Sequence, residues 1–223
     1  MKLEALNRRV YACIGENEGG HIRENSGFVV TERGVVVIDT TWTLRDAEWM
    51  THEIRKVTDK KVIYVINTHC HVDHVFGNQV FPVPVIAAQS TLDRMRSSVA
   101  HEWSPQNLFQ KSLSYRGAGT SPDYPDPERL KEVHIVLPEI AFELQMTLNL
   151  GELELEIALL GGHTPDSSVV CVLTSTKSRQ VLTFWVLSCT SNRPLSSRRR
   201  AERIWAVAAA WPEGRMALGN LTV

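Results

Sequence analysis

The chain has 223 residues, of which 43% are hydrophobic and 22% are charged, and its formal net charge is −1. These values predict one globular domain with a sizeable core, and they exclude a global electric field for holding nucleic acid or an anionic membrane. No run of about 18 apolar residues and no signal-peptide pattern is present, so we expect a cytoplasmic protein. Four cysteines without C-x-x-C spacing are expected as reduced thiols: Cys13, Cys70, Cys171 and Cys189.

The N-terminal half alternates strand and helix patterns. Short apolar runs predict strands at residues 10–14, 27–31, 35–38 and 62–66. Thr43 is expected to cap a helix that extends to Val57. Continuous apolar strands joined by a helix predict an open α/β sheet, which places its functional loops where the strands end.

The second half contains fewer helical signals. We predict a strand at residues 83–87, a helix capped by Ser90 that extends to Val99, a hairpin at 146–149 and 153–158, and strands at 169–173 and 180–184. Residues 101–130 are rich in Ser, Pro, Gly and Asp, which predicts a long surface loop or lid.

Four potential metal ligands follow the predicted strand at 62–66. His69, His71, Asp73 and His74 lie within six residues, and imidazole and carboxylate are donors that Zn²⁺ prefers. On an extended or turning loop, His69 and His71 can point the same way while Asp73 and His74 turn toward a second position. The alternative is a chance cluster of polar residues. The preceding strand and a later His163, also at a strand end, favour a metal site.

Three segments resemble those of the metallo-β-lactamase superfamily. They are T-H-C-H-V-D-H-V-F-G-N at residues 68–78, V-V-V-I-D at 35–39 and G-G-H-T-P at 161–165. They occur in the family's order, and the chain is most similar to the glyoxalase II-like zinc hydrolases. The resemblance implies an α/β fold, a four-layer αβ/βα sandwich whose C-terminal half is incomplete here.

The resemblance also implies roles for individual residues. His69, His71 and His163 would hold a first metal, and Asp73 and His74 would contribute to a second. Asp73 would be catalytic, because it would also orient the metal-activated water. Asp39 would support the ligand loop from behind, although without the family it reads equally well as a carboxylate that caps a turn.

The chain departs from the family pattern after His163. The family has an F-x-G-D segment whose Asp bridges two metals, and a later His completes the second site. Here the predicted strand at 180–184 continues into W-V-L-S-C without an Asp, and no His follows His163. Cys189 is a candidate replacement ligand, or a thiol without a metal. His21, in E-G-G-H, lies in a loop that can approach the active site in this fold.

The last residues differ in composition from the rest. We divide the chain into a metallo-β-lactamase-like domain at 1–184 and an atypical tail at 185–223 that is rich in Arg, Ser and Trp. This composition is consistent with a basic arm that attracts nucleic acid. It is also consistent with translation in a shifted reading frame, which is the interpretation we favour. Any codons for F-W-V at 184–186, read two bases along, encode Leu-Gly, which restores part of F-x-G. We predict that the tail does not complete the fold.

Three functions follow from these patterns. The leading one is metal-dependent hydrolysis of a small ester, thioester or lactam with one or two zinc ions. A redox enzyme is the second, because iron accepts the same donors and some relatives of this fold oxidise persulfides. The third is a truncated, catalytically impaired metal-binding product. The expected partner is a small-molecule substrate, with neither nucleic acid nor membrane, and the sequence does not indicate an oligomeric state.

Overall fold

The computed structural model of the chain describes residues 1–15, 24–104, 107, 108, 110, 132–174 and 181–185, the last range by its backbone alone. Predictions for His21, for Cys189, for most of the loop at 101–130 and for the tail beyond Trp185 therefore lie outside the described residues.

Within the described residues, one sheet contains seven strands in sequence order. They are β1 Lys2–Ala5, β2 Val10–Ile14, β3 Ser26–Val30, β4 Val35–Ile38, β5 Val62–Ile66, β6 Val85–Ala88 and β7 Ile140–Phe142. Strands β1 to β4 pair antiparallel, and β4 to β7 pair parallel. Because parallel strands end at the same edge of a sheet, the residues that follow β4 and β5 meet there.

A second sheet has the order β11-β10-β9-β8 in the described part of the chain. Its strands, β8 Gln145–Asn149, β9 Leu153–Leu159, β10 Ser168–Thr174 and β11 Val181–Trp185, pair antiparallel. Strand β9 alternates buried and partly exposed side chains, as expected for a strand with one face on the core.

Helix α1, Leu44–Val57, begins where the sequence predicted. The hydroxyl of Thr43 accepts a hydrogen bond from the backbone N–H of Asp46 at 3.1 Å, which caps the helix. The helices that follow within the described residues include α2 Val72–Val75, a 3₁₀ helix Phe76–Val80 and α3 Gln89–His101. The prediction that Ser90 caps α3 is wrong, because the N-cap is Ala88 without a side-chain bond and Ser90 lies inside the first turn.

The two sheets pack face to face through one apolar core. It includes Val36, Ile38 and Ile66 from the first sheet and Leu155 and Val170 from the second.

Helix α1 covers the opposite face of the first sheet, where Ala47, Met50 and Ile54 pack against Phe28 and Val37. Helix, sheet and sheet are three layers of the predicted sandwich. The described residues do not include a fourth layer. No helix in the described part of the chain is long and apolar enough to span a membrane.

The sequence missed β1, β7 and the two short helices after His71. Strand β1 is mostly exposed, and β7 has only three residues. Neither offers the apolar run by which a buried strand is recognised. The other predicted strands are present; those at 10–14, 35–38 and 62–66 have the predicted ends, and the ends of the rest are shifted by one or two residues.

Candidate metal centre

The edge formed by the ends of β4 and β5 carries strained backbone. Asp39 has a φ of 57° and Thr41 a φ of 73°. Asp tolerates this left-handed region, whereas a β-branched residue rarely does, and such a conformation costs roughly 1–3 kcal/mol. The turn places the carboxylate of Asp39 directly behind the loop that follows β5.

The buried carboxylate of Asp39 holds that loop at three points. Its Oδ1 accepts the backbone N–H of Thr68 at 2.8 Å, and its Oδ2 accepts the Thr68 hydroxyl at 2.7 Å. The same Oδ2 lies 3.0 Å from Nδ1 of His74. Asp39 therefore fixes both the start of the ligand loop and the orientation of the His74 ring.

Three histidines from two distant loops converge beside Asp39. The ring centroids of His69 and His71 are 4.7 Å apart, and that of His163 lies 5.2 Å from His69 and 4.8 Å from His71. His163 Nε2 is 3.1 Å from His71 Nδ1. One nitrogen of each ring lies within 4.8 Å of the others, somewhat wider than the roughly 3–4 Å we expect of ligands around one ion.

The chemistry of these rings fits a metal ion. Nε2 of His69 is buried and has no hydrogen-bond partner among the described residues. Burial, assisted by the neighbouring histidines, lowers the pKa of His69 to about 2, and burial also lowers the pKa of His71. Neutral imidazole is the form that binds a metal. Two facing ring nitrogens and one unpartnered nitrogen form a donor set that could hold a metal such as zinc.

Asp73 and His74 lie beside the histidine cluster in helix α2, whereas an extended or turning loop was expected there. His74 Nε2 is 3.3 Å from Asp73 Oδ2, and the His74 ring lies 4.2 Å from that of His69. Burial disfavours a charged His74, but Asp39 and Asp73 outweigh it and raise its pKa to about 10. The described residues contain no other group of three His, Cys, Asp or Glu side chains whose donor atoms converge closely enough to hold one metal ion.

A buried amide pair lies beneath the ligand loop. Asn67 and Asn78 bond to each other through both side-chain amides, at 3.0 and 2.8 Å. Asn67 also donates to the carbonyl oxygen of His74 at 3.0 Å, and the hydroxyl of Thr40 donates to Asn78 Oδ1 at 2.8 Å. These bonds fix the backbone of α2.

Sequence reasoning missed two acidic residues near the cluster. Asp166 is fully buried, and its Oδ2 accepts the backbone N–H of Cys70 at 2.9 Å. Its position directly after G-G-H-T-P was a signal that could have identified it. Glu24 accepts the backbone N–H of Trp42 at 2.9 Å, and burial, with a contribution from Asp73, raises its pKa. No motif surrounds Glu24, so nothing in the sequence pointed to it.

Comparison with known proteins identifies the family. The family model described as "Metallo-beta-lactamase superfamily" matches residues 19–175. The chain belongs to this superfamily. The match includes the three segments on which the resemblance rested.

Two curated relatives of this superfamily member are named "Metallo-beta-lactamase type 2". The protein from Elizabethkingia meningoseptica is 39% identical over 121 residues, which are 52% of this chain and 48% of the relative. The protein from Bacillus cereus is 24% identical over 115 residues, 51% of this chain and 43% of the relative. The chain thus spans about half the length of the curated relatives it matches.

Solved structures of metallo-β-lactamases share the fold. One from Cronobacter sakazakii gives a TM-score of 0.58 at 16% identity, covering 94% of this chain and 71% of that one. A subclass B3 enzyme of Bradyrhizobium japonicum gives 0.57 at 16% identity, covering 95% and 74%. At such identities the similarity shows the fold alone, and it confirms the predicted metallo-β-lactamase fold.

Proposed function

We propose that this metallo-β-lactamase superfamily member is a metal-dependent hydrolase that uses activated water on a small ester, thioester or lactam. The observation that supports it best is the convergence of His69, His71 and His163, with a buried nitrogen of His69 left without a partner among the described residues. Three histidines and an open position for water are a sufficient donor set for a catalytic zinc site.

We assign metal binding to these three histidines. A zinc ion held there would supply water with a pKa lowered to about 7 and would polarise a substrate carbonyl. Solvent exposure increases across the cluster: His69 is buried, His71 is partly buried and His163 is exposed. A substrate would therefore approach from the side of His163.

Asp73 is assigned to the orientation of the nucleophilic water. Burial raises the pKa of Asp73, but the hydrogen bond and charge of His74 outweigh it and hold the pKa at about 2. A carboxylate with so low a pKa is ionised at neutral pH and is a weak base. It therefore accepts a hydrogen bond from water and turns a lone pair toward the substrate, and it removes a proton poorly.

Zinc and a lactam are the first metal and substrate to test. Both curated relatives are named metallo-β-lactamases, and the donor set suits zinc, as it also suits iron. Thioesters, on which a glyoxalase II-like enzyme acts, are the second substrate class to test. Asp73 and His74 offer two donors for a second ion, which we expect to bind weakly.

The test combines metal analysis with two assays. The purified chain should contain zinc and hydrolyse a chromogenic cephalosporin or a glutathione thioester, and His163→Ala should remove both properties. His52→Gln, which changes an exposed histidine on α1, is the matched control and should change neither. Activity that survives a chelator, or that survives in His163→Ala, contradicts the proposal. Bound iron with oxygen-dependent consumption of a persulfide would favour the redox alternative.

A further inference from the structure

Two loops that contribute to the histidine cluster are joined on both sides of His69. On one side, the backbone N–H of Ser168 donates to the carbonyl oxygen of Thr68 at 2.8 Å. On the other side, the backbone N–H of Cys70 donates to Oδ2 of Asp166 at 2.9 Å. The first bond is purely backbone. The second depends on a single side chain.

Asp166 belongs to the same tight turn as His163. In this turn the N–H of Ser167 donates to the carbonyl oxygen of Thr164 at 3.1 Å, and the N–H of Thr164 donates to the Ser167 hydroxyl at 3.0 Å. Because the turn is held by these bonds, the position of the Asp166 carboxylate is coupled to that of His163, which lies three residues earlier in the chain. Cys70, which that carboxylate contacts, lies between His69 and His71.

The Asp166 carboxylate is itself held from helix α3. Arg94 Nη1 lies 3.2 Å from Oδ1 of Asp166, and the hydroxyl of Thr91 donates to the Asp166 carbonyl oxygen at 3.2 Å. Asp166 has an exposure of 0%, whereas the Arg94 side chain is 43% exposed. A buried carboxylate with both oxygens engaged has a fixed orientation.

We propose that Asp166 is a positioning residue that sets the separation between the His69 and His71 pair and His163, and thereby tunes metal affinity. This inference rests on the proposed metal centre. Without the side-chain bond, the described residues keep one backbone hydrogen bond between the two loops beside His69, from Ser168 to Thr68. The spacing of the ligand nitrogens then varies more, and the cost of bringing them to one ion rises.

The test measures metal affinity and fold stability separately. Zn²⁺ affinity is obtained by competition with a chromophoric chelator, the ligand field from the visible spectrum of the Co²⁺ form, and stability from urea unfolding in excess chelator. The variants are Asp166→Ala, Asp166→Asn and Arg94→Met. Thr31→Val is the structural control, because it removes a buried hydroxyl that bonds only within the β3–β4 turn, to the backbone of Gly34.

We expect Asp166→Ala to bind Zn²⁺ about 10–100-fold more weakly and to alter the Co²⁺ spectrum, as is typical when a residue behind the ligands is lost. Asp166→Asn keeps an oxygen that can accept from Cys70 and should restore much of the affinity. Arg94→Met should fall between Asp166→Asn and the wild type. Thr31→Val should lower the unfolding midpoint while leaving affinity and spectrum unchanged.

Wild-type affinity and an unchanged Co²⁺ spectrum in Asp166→Ala overturn the inference, even if its stability falls. If Asp166→Ala does not fold, Asp166→Asn and Arg94→Met decide the question, and wild-type values in both overturn it. A wild-type chain that binds no metal contradicts the proposed function instead. Tight binding by the wild type together with unaffected variants contradicts the positioning role alone.

Discussion

Nδ1 of His74 lies 3.0 Å from Oδ2 of Asp39, although 35 residues separate them along the chain. The strained turn after β4 brings the carboxylate to the ring, and helix α2 presents the ring to the carboxylate. A carboxylate behind a histidine fixes the ring orientation and makes its other nitrogen a better ligand.

The Asp39 and His74 pair predicts how stability depends on pH above neutrality. In metal-free protein the pKa of His74 is raised from 6.5 to about 10, so the folded state keeps a proton that the unfolded state loses above pH 6.5. This stabilisation is complete below pH 6.5 and is lost as pH rises toward 10. Chelator-treated protein should lose at most about 1.4 kcal/mol of unfolding free energy per pH unit from this group.

Urea unfolding between pH 6.5 and 8.5 measures this slope. Asp39→Asn removes the charge that sustains the raised pKa, so its slope over this range should be markedly smaller. The range ends at pH 8.5, below the ordinary thiol pKa of 9.0 at which the cysteines of the unfolded chain titrate. Equal slopes for the wild type and Asp39→Asn would show that His74 is neutral in the folded protein.

For His69 we expect the opposite pH dependence of stability, with a loss in acid. Its pKa is lowered from 6.5 to about 2 by burial and by the neighbouring histidines, so between these values the unfolded state binds a proton that the folded state does not. Metal-free protein should therefore lose stability as pH falls below 6.5. His69→Gln should flatten this acid limb in urea unfolding at pH 5 to 6.5. An unchanged limb would assign the effect to other groups.

The number of donors predicts the metal stoichiometry. His69, His71 and His163 form one set of three, whereas Asp73 and His74 form a pair within the described residues. Titration with zinc should show one tight equivalent per chain. His163→Ala should abolish it, and the conservative Asp73→Asn should leave it tight. Two equally tight ions would reveal a ligand outside the described residues.

Adding one methyl group at Gly77 is expected to lower the stability of the protein strongly. A Cβ there would lie 1.9 Å from the carbonyl oxygen of Thr40 and 2.8 Å from Cβ of Ala47. The backbone N–H of Thr40 is bonded to the carbonyl oxygen of His74 at 3.0 Å, so Thr40 cannot move aside without loosening α2. Gly77→Ala should cost roughly 3 kcal/mol or more in urea unfolding.

Gly161→Ala is the control for this effect. Gly161 has a φ of 70°, and a methyl group added there would meet nothing closer than 3.7 Å. Its substitution should cost only about 1–2 kcal/mol, the strain of a left-handed residue. Gly77 does not have a positive φ, so a loss no larger than that of Gly161→Ala would contradict the steric clash with Thr40.

The described thiols are expected to be unreactive in the native state. Burial raises the pKa of Cys13 and of Cys171 to about 12, and burial together with Asp166 raises that of Cys70 to about 11. The thiolate is the nucleophile, so iodoacetamide at pH 8 should label these residues slowly in native protein and quickly in urea. Peptide mass spectrometry checks each site. Rapid native labelling of Cys70 would show that the ligand loop opens.

The sequence was informative wherever the decisive interactions are local. The cap at Thr43 acts within three residues, and the apolar runs of β4 and β5 indicate burial directly. The donors from His69 to His74 lie in one short stretch, so their chemistry is visible without a structure. His163 lies far from them in the sequence, and it was assigned to the same site chiefly through a family resemblance.

Other features depended on how distant segments meet. Asp166 contacts Cys70 across 96 residues, and His74 pairs with Asp39 across 35. Neither bond has a local signature, because each exists only once two sheets have packed and the parallel strands have brought their ends to one edge. The sequence by itself determined which donor groups are present. The tertiary structure decided which of them face one another and which residues hold them in place.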